Sequence, residues 1–316
     1  MTQPMTQPIE VLDHLVRDLV REQRSRRRFK YVKYVMWIGT IAIVAATLAV
    51  EHFAADGADA KEITARIDVN GPIAEGESAS AETLKKSIGQ AFTDPRTKAV
   101  VLKINSPGGS PVQAGYVYDE IKRQRSLHSN IKVFAVITDL AASGAYYIAS
   151  AADEIYADKA SLVGSIGVTA ASFGYVGVME KLGVERRAYT AGEHKAFLDP
   201  FQPRNAEETA FWGEVLRTTH NQFIEAVKAG RGDRLKSADH PELFSGLIWS
   251  GQQAQQLGLI DQLGDVDYVA REVVGASKVV DFSVKDNPID RFAKRIGTSA
   301  AQELSMSLGF SGQSLR

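Results

Sequence analysis

The chain has 316 residues, enough for one large α/β domain with appendages or for two small domains. Its 37 basic and 38 acidic residues nearly cancel, so the overall charge gives no indication of a nucleic-acid partner. The absence of cysteine excludes disulfides, thiolate metal ligands and a cysteine nucleophile.

An uncharged run from Tyr34 to Val50 is the first distinctive segment. As a helix it would span about 25 Å at ~1.5 Å per residue, slightly less than a hydrocarbon core of roughly 30 Å. Snorkelling by Lys33 and an interfacial Trp37 make a single membrane span feasible, and a buried core helix is the alternative. Basic residues precede the run, which places the N-terminus in the cytoplasm and the chain after Glu51 outside. They are Arg17, Arg21, Arg24, Arg26, Arg27, Arg28, Lys30 and Lys33.

The same region allows other interpretations. Residues 25–29 (SRRRF) resemble a twin-arginine export signal, and residues 58–60 (ADA) have the small-x-small form of a cleavage site. The latter lies far beyond the apolar run, which favours an uncleaved anchor. After Pro8, apolar residues at helical spacing predict an amphipathic helix, either on the anionic inner leaflet or simply solvated. They are Ile9, Leu12, Val16 and Leu19.

Short strands and helices then alternate, which predicts an α/β domain with a mostly parallel sheet and crossover helices. Strands are expected at Ile63–Val69, Ala99–Ile104 and Ile131–Ile137, and helices at 80–92, 112–124, 205–229 and from Trp249 to about Gly258. We therefore divide the chain into a cytoplasmic basic segment (1–33), a transmembrane anchor (34–50), a linker (51–62), an extracytoplasmic domain (63–280) and a C-terminal tail (281–316).

Ser143 is the strongest candidate nucleophile. It follows the apolar strand 131–137 and precedes a small, apolar stretch that is typical of a packed helix. A serine at a helix N-terminus lies beside free N–H groups and the positive end of the helix dipole, which favour a developing oxyanion. The N–H groups of Gly109 and Gly144 would form a two-donor oxyanion hole, although both residues equally fit ordinary turn glycines.

A serine hydroxyl needs a base, and His194 and Lys195 are the two adjacent candidates. In an extended segment they face opposite sides, so one of them would point at Ser143. A Ser143–His194–Asp199 triad is conceivable, but no G-x-S-x-G elbow surrounds the serine. A lysine base must be neutral, which requires burial, and Lys195 alone would otherwise be interpreted as a surface residue. Apolar neighbours that could bury it are Ala196, Phe197, Leu198 and Phe201.

Several blocks of the chain resemble the signal peptide peptidase A family in order and spacing. They are Asn105-Ser-Pro-Gly-Gly109, Ser143-Gly-Ala-Tyr-Tyr-Ile-Ala149, Gly164-Ser-Ile-Gly167, Gly192-Glu-His-Lys195 with Asp199-Pro-Phe201, and Trp249 to Asp261. The resemblance covers roughly residues 63 to 270. It implies a membrane-anchored serine-lysine peptidase with a fold related to the Clp protease and crotonase superfamily.

By this resemblance Ser143 is the nucleophile, Lys195 the general base and Ser165 the residue that orients the lysine amine. The chain is similar to the short form of the family, which has one catalytic domain. That form implies a homo-oligomeric ring, an octamer, in which the serine and lysine of one site come from neighbouring subunits. We find no metal-ligand spacing, phosphate loop or dinucleotide fingerprint, and we predict that neither a metal nor a cofactor is needed.

The expected function is hydrolysis of remnant signal peptides by an enzyme of the inner membrane, single-pass, with its catalytic domain on the periplasmic or extracytoplasmic side. Its partners would be cleaved signal peptides or other hydrophobic peptides and the membrane, with no nucleic acid. Three alternatives remain. They are a general membrane-associated housekeeping peptidase of the same family, a non-catalytic membrane-tethered scaffold, and an acyl-CoA enzyme of the crotonase type, which the anchor and the serine-lysine pair disfavour.

Overall fold

The computed structural model describes residues 33–43 and 61–284, which belong to two separate compact units. In the first unit, residues 33–43 form helix α1. Within the described ranges no helix combines the length and apolar content that a bilayer crossing needs. The predicted anchor continues through residues 44–50, which lie outside the described residues, as do most of the predicted linker and tail and all of residues 1–32.

The second unit alternates strands and helices, as the sequence predicts. Its strands are β1 (Ile63–Asn70), β2 (Thr97–Ser106), β3 (Lys132–Ala142), β4 (Glu154–Ala157), β5 (Leu162–Gly164), β6 (Ile248–Ser250), β7 (Gln262–Leu263) and β8 (Val279–Asp281). Its helices are α2 (Ala81–Thr93), α3 (Pro111–Leu127), α4 (Gly144–Ala149), α5 (Val176–Leu182), α6 (Ala206–Arg231), α7 (Gly251–Gln256) and α8 (Val266–Tyr268), the last followed by a π-helix at Val269–Val274.

The strands form one sheet in the order β6-β5-β3-β2-β1-β8, with β4 and β7 joined to it through β3. The pairs β1–β2, β1–β8, β2–β3, β3–β4, β3–β5 and β4–β7 are parallel, and β5–β6 is antiparallel. The predicted fold class, an α/β domain with a mostly parallel sheet, is confirmed.

Strand β3 changes its partner along its length. Its first half pairs with β4, from Phe134 to Ile137, and its last three residues pair with β5, in register Leu140↔Leu162 to Ala142↔Gly164. Neighbouring strands of a parallel sheet end at the same edge of the sheet, so the side chains that follow them lie close together. This switch therefore carries the end of β3 away from β4 and places it beside the end of β5.

Two apolar clusters occupy the two faces of the sheet. The larger one contains the inward residues of β1, β2 and β3 together with the helices α2, α3 and α4. The smaller one takes the alternate residues of β2 and β3, such as Val101, Phe134 and Val136, and packs them against Val269. Strands that are buried on both faces show continuous apolar runs rather than alternation.

Side-chain caps explain where several helices begin. Ser80 accepts from the N–H of Thr83 at the start of α2, and Ser250 and Gln253 form a reciprocal capping box at α7. Asn205 accepts from the N–H groups of Glu207 and Glu208 at α6. The side chain of Asn205 therefore caps the start of α6.

The C-terminal end of α6 is fixed to the sheet by a buried ion pair. Arg231 is 1% exposed, and its guanidinium contacts both carboxylate oxygens of Asp261 at 2.8 and 3.0 Å. Asp261 also accepts from the N–H of Ile155 in β4. Removing one partner of a buried pair typically costs about 3–5 kcal/mol, because the other charge is left unpaired. This contact therefore anchors the C-terminal end of the helix.

Candidate active site

Ser143 lies where β3 gives way to α4, with a backbone conformation that non-glycine residues rarely adopt. Its φ is 53° and its ψ −126°. A residue in such a sparsely populated region costs of order 1–3 kcal/mol and persists only where its surroundings hold it. Here the N–H of Ser143 donates to the carbonyl of Gly164 at 2.9 Å, which ties the turn to the end of β5. The sharp turn presents a half-buried hydroxyl at the edge of the sheet.

The loop after β2 packs directly against this turn, and only glycine fits there. A Cβ placed on Gly108 would lie 2.7 Å from the N of Gly144 and 2.8 Å from the Cβ of Ser143. A Cβ on Gly109 would lie 2.3 Å from the carbonyl oxygen of Ile73. All three distances are shorter than real Cβ contacts, so the two glycines allow the backbones to approach.

Gly109 and Gly144 also lie next to each other. The Cβ position of Gly144 is 3.4 Å from the N of Gly109. Among the described residues, neither of these N–H groups donates a hydrogen bond. Two neighbouring donors without partners, beside a serine at a helix N-terminus, have the composition of an oxyanion hole.

Ser106, which the sequence analysis did not single out as a separate residue, organises the glycine loop. It is fully buried, and its hydroxyl donates to the carbonyl of Gly71 at 2.6 Å while accepting from the N–H of Gly108 at 3.1 Å. Ser110 then caps α3 by accepting from the N–H of Gln113. In the sequence, a serine directly before Pro-Gly-Gly and a second serine directly after it were the signal that could have indicated this arrangement.

Ser165 lies beside Ser143 because β3 and β5 are parallel and Ala142 pairs with Gly164. Like Ser143, it has a positive φ, of 52°, and is half-buried. Its N–H donates to the carbonyl of Leu247 at 2.7 Å. The structure thus brings together four of the five predicted site residues, namely Ser143, Ser165, Gly109 and Gly144.

Lys195, the fifth residue, lies in a different environment. The segment around it forms consecutive turns, with the N–H of Lys195 donating to the carbonyl of Gly192, rather than the extended chain that we expected. Local turn hydrogen bonds replace the sheet partner that an extended segment would need. Lys195 is exposed, and among the described residues its amine shares no hydrogen bond with Ser143. The apolar neighbours named in the sequence do not bury it within one chain.

The neighbouring ionisable groups are engaged elsewhere. The Nδ1 of His194 lies 3.3 Å from Glu208 in the first turn of α6, and Asp199 accepts from the Nε of Arg186 at 2.8 Å. A Ser143–His194–Asp199 triad would require His194 to contact Asp199. The observed partners do not support that alternative.

Aromatic packing holds the lysine segment on the N-terminal half of α6. The ring of Phe197 meets those of Phe211 and Trp212 edge-on, with centroids 5.9 and 5.8 Å apart. Phe201 stacks on Tyr175 at 5.2 Å, with the guanidinium of Arg186 over its face. These contacts form a small cluster outside the two main cores.

A cavity of about 660 Å³ lies elsewhere, beside the middle of β3 and the carboxyl end of β4. Its lining includes Thr138, Asp139, Lys159 and Arg271, and neither Ser143 nor Lys195 contributes to it. Within the described ranges, no three side chains of histidine, aspartate or glutamate gather as metal ligands would.

Most of the candidate site residues lie in a region that matches a known protein family. The model of peptidase family S49 matches residues 125–279, which include Ser143, Ser165 and Lys195. A putative signal peptide peptidase SppA of Enterococcus faecium is 30% identical over 237 residues, covering 72% of this chain and 67% of that protein. A putative protease of Synechocystis sp. is 32% identical over 200 residues, covering 63% of this chain and 69% of that protein.

Two further similarities are to a protein of which the chain spans only a part, and to a solved structure. The Na(+)/H(+) antiporter NhaA of Brucella abortus is 49% identical over 186 residues, or 59% of this chain, and the chain spans a quarter (25%) of that protein. Among solved structures, a mutant of the 1510-N membrane-bound stomatin-specific protease in complex with a substrate peptide has a TM-score of 0.48 and 16% identity. That similarity covers 75% of this chain and 98% of the other.

Proposed function

The chain belongs to peptidase family S49, and on that premise we propose that it is a serine endopeptidase in which Ser143 attacks and Lys195 is the general base. The observation that carries the proposal is the geometry of Ser143. The serine has a strained backbone, begins a helix, and adjoins the N–H groups of Gly109 and Gly144, which have no partner within the described part of the chain. A turn serine of purely structural use would not need either the strain or the free donors.

The proposed reaction follows from these groups. The neutral amine of Lys195 takes the proton of the Ser143 hydroxyl as Oγ attacks the scissile carbonyl carbon. The N–H groups of Gly109 and Gly144 donate to the oxyanion that forms. The protonated amine then gives its proton to the leaving amide nitrogen, the C–N bond breaks, and the acyl group stays on Ser143. Water, deprotonated by the same amine, attacks the ester carbonyl, the bond to the Ser143 Oγ breaks, and the ammonium returns its proton to Oγ. The acyl group leaves as a carboxylic acid, which then ionises in solution.

The exposed position of Lys195 supports a site shared between subunits. A neutral lysine requires an environment that excludes water, and one chain alone leaves Lys195 exposed. Large apolar side chains between residues 173 and 211 are also exposed, for example Phe173 (77%), Tyr189 (90%) and Phe211 (63%). Exposed apolar patches of this kind mark interaction surfaces. We therefore propose a homo-oligomeric ring, an octamer, in which Lys195 of one subunit reaches Ser143 of the next.

The proposed substrates are remnant signal peptides or other hydrophobic peptides left near the membrane. The similarity to a putative signal peptide peptidase SppA supports this choice. The uncharged run from residue 34 to 50, preceded by basic residues, supports a single-pass anchor in the inner membrane with the catalytic domain on the extracytoplasmic side. Such an anchor would hold the site close to substrates that partition into the bilayer.

A serine-reactive acylating probe tests the chemistry. The detergent-solubilised full chain is labelled as wild type, Ser143→Ala, Lys195→Ala and the control Ser126→Ala, which removes an exposed hydroxyl on α3. We expect labelling to disappear with Ser143→Ala, to fall by at least about 10³-fold in rate with Lys195→Ala, and to persist in the control. Labelling that survives the first two changes would refute the proposed pair, and equal peptide turnover by wild type and Ser143→Ala would favour a non-catalytic scaffold.

Substrate choice needs a separate experiment. Wild-type enzyme is given synthetic signal peptides and hydrophobic transmembrane peptides of matched length and mean hydropathy, and kcat/KM is compared. We expect signal peptides to be cleaved faster. Equal values for both sets would indicate a general membrane-associated peptidase.

A further inference from the structure

The turn that carries Ser165 is strained and needs to be held in place. Gly164 has a φ of 117° and Ser165 a φ of 52°, so two consecutive residues have positive values. The cost of such a conformation for a residue with a side chain is of order 1–3 kcal/mol, and it persists only where neighbours impose it. What fixes residues 164–167 therefore fixes the direction of the Ser165 hydroxyl.

Backbone contacts hold two points of this turn. The carbonyl of Gly164 accepts from the N–H of Ser143 at 2.9 Å, and the N–H of Ser165 donates to the carbonyl of Leu247 at 2.7 Å. A Cβ on Gly167 would lie 3.1 Å from the Cα of Gly246, so the chain is closely approached on that side as well. These contacts leave the carbonyl of Ile166, in the middle of the turn, to be satisfied by another group.

His220 supplies that group from the middle of α6. Its Nε2 lies 3.1 Å from the carbonyl oxygen of Ile166, across a separation of 54 residues. A carbonyl oxygen accepts only, so Nε2 carries the proton and donates it. Ile166 is fully buried and the ring of His220 is half-buried, which shields this bond from competing water. Phe223, three residues further along α6, is buried and keeps that part of the helix against the core.

We propose that His220 is a positioning residue that holds the Ser165 turn in its strained conformation, so that the Ser165 hydroxyl can orient the lysine amine. This inference rests on the proposed function, because it gives Ser165 that task. It assigns His220 no contact with substrate and no proton transfer, since its Nε2–H is committed to Ile166. Loss of the bond lets the turn relax, misdirects Ser165 and slows the chemical step while peptide binding is retained.

Kinetics of the full-length oligomer with a fluorogenic hydrophobic peptide test the proposal. We expect His220→Leu to lower kcat about tenfold with little change in KM, which corresponds to losing one well-made hydrogen bond to a buried acceptor. His220→Gln keeps an N–H donor and is expected to retain activity within about twofold of wild type. The matched control is His240→Leu, since His240 contacts Glu242 outside the turn, and it should leave kcat unchanged.

A double-mutant cycle with Ser165→Ala separates positioning from general stability. If His220 acts through Ser165, adding His220→Leu to Ser165→Ala lowers kcat by less than about twofold further. Multiplicative losses, or equal losses in the Leu and Gln variants, would overturn the proposal. Should His220→Leu fail to fold, His220→Asn replaces it, because the shorter amide falls short of the Ile166 carbonyl.

The same measurements keep the two hypotheses apart. If Ser143→Ala or Lys195→Ala retained activity, the proposed function itself would fail. If both were inactive but Ser165→Ala were fully active, the serine-lysine pair would stand, while the role given to His220 would be overturned.

Discussion

The two halves of the candidate site are built very differently. Ser143 and Gly144 follow the buried end of β3, and close backbone approaches leave no room for a Cβ at Gly108 and Gly109. Lys195 lies on turns that are held to α6 by aromatic edges and one His194–Glu208 contact. A nucleophile must keep one strained geometry, which a dense core can enforce. A base that completes the site from another subunit needs an accessible surface instead.

The largest effect is expected from mixing two inactive variants. Ser143→Ala and Lys195→Ala should each lose at least about 10³-fold in turnover on their own. If the two halves of a site come from different subunits, co-assembly restores about a quarter of the sites, since half of the subunits carry each intact residue. Peptide hydrolysis after co-refolding or co-expression measures this. Mixtures that stay as inactive as their components would place both residues in one chain.

A single added methyl group should disrupt the closely packed glycine loop beside Ser143. Gly108→Ala would place a Cβ 2.6 Å from the carbonyl oxygen of Ala142, in a backbone with a φ of 91°. We expect kcat/KM to fall about 10²–10³-fold, because the Gly109 N–H moves away from the oxyanion. Gly89→Ala in α2 is the control, since nothing lies within 4 Å of its Cβ position. Near-wild-type activity of Gly108→Ala would contradict the described packing.

Helix α6 spans both environments, which allows a comparison within one element. Phe223 is 5% exposed and Phe211 is 63% exposed. Phe223→Ala should lower the free energy of unfolding by about 3–5 kcal/mol. Phe211→Ala should change it by less than ~1 kcal/mol. Chemical denaturation of the full chain in detergent measures both, and similar losses would show that the N-terminal half of α6 is packed as firmly as the other.

The remaining prediction concerns acid stability. Burial acts to raise the pKa of Asp261, but the hydrogen bonds and charge of Arg231, the N–H of Ile155 and the charge of Arg234 outweigh it and hold that pKa below its ordinary value. A carboxylate with a lowered folded-state pKa contributes stability above its unfolded value of about 4, and this is lost as the pH falls through the folded value.

Unfolding of wild type and Asp261→Asn between neutral and acidic pH tests this contribution. We expect the variant to be less stable at neutral pH and to lose less stability on acidification. Asp233→Asn, an exposed neighbour of the same helix end, is the control and should follow the wild type. A parallel decline in wild type and Asp261→Asn would show that Asp261 does not link folding to pH.

Local chemistry predicted the elements whose signals lie within their own sequence. The apolar runs of β1, β2 and β3 and the caps Ser80 and Asn205 gave the α/β alternation and most helix starts. The short strands β4 to β8 were not predicted, because two to four residues carry little periodicity and depend on distant partners. Strand β3 runs on to Ala142, past the polar Thr138 and Asp139, since β5 supplies a new partner there.

In the candidate site, too, the residues that stand in local sequence motifs were predictable. Ser143, Ser165 and the two glycines stand in compact motifs, and the fold brings them together. His220 has no local signal, because a histidine in an amphipathic helix looks the same whether or not it reaches a carbonyl 54 residues away. Lys195 is exposed within one chain, and the subunit contact proposed to bury it has no signal in the residues next to it in sequence.

The pair of serines with positive φ has a consequence for heat tolerance. Each such backbone costs about 1–3 kcal/mol, so the two turns together remove a substantial part of the marginal stability of a domain. Glycine at position 165 would relieve that strain and would be expected to raise the melting temperature while slowing catalysis. Sequences selected for thermal robustness and sequences selected for turnover should therefore diverge at position 165 before they diverge in the core.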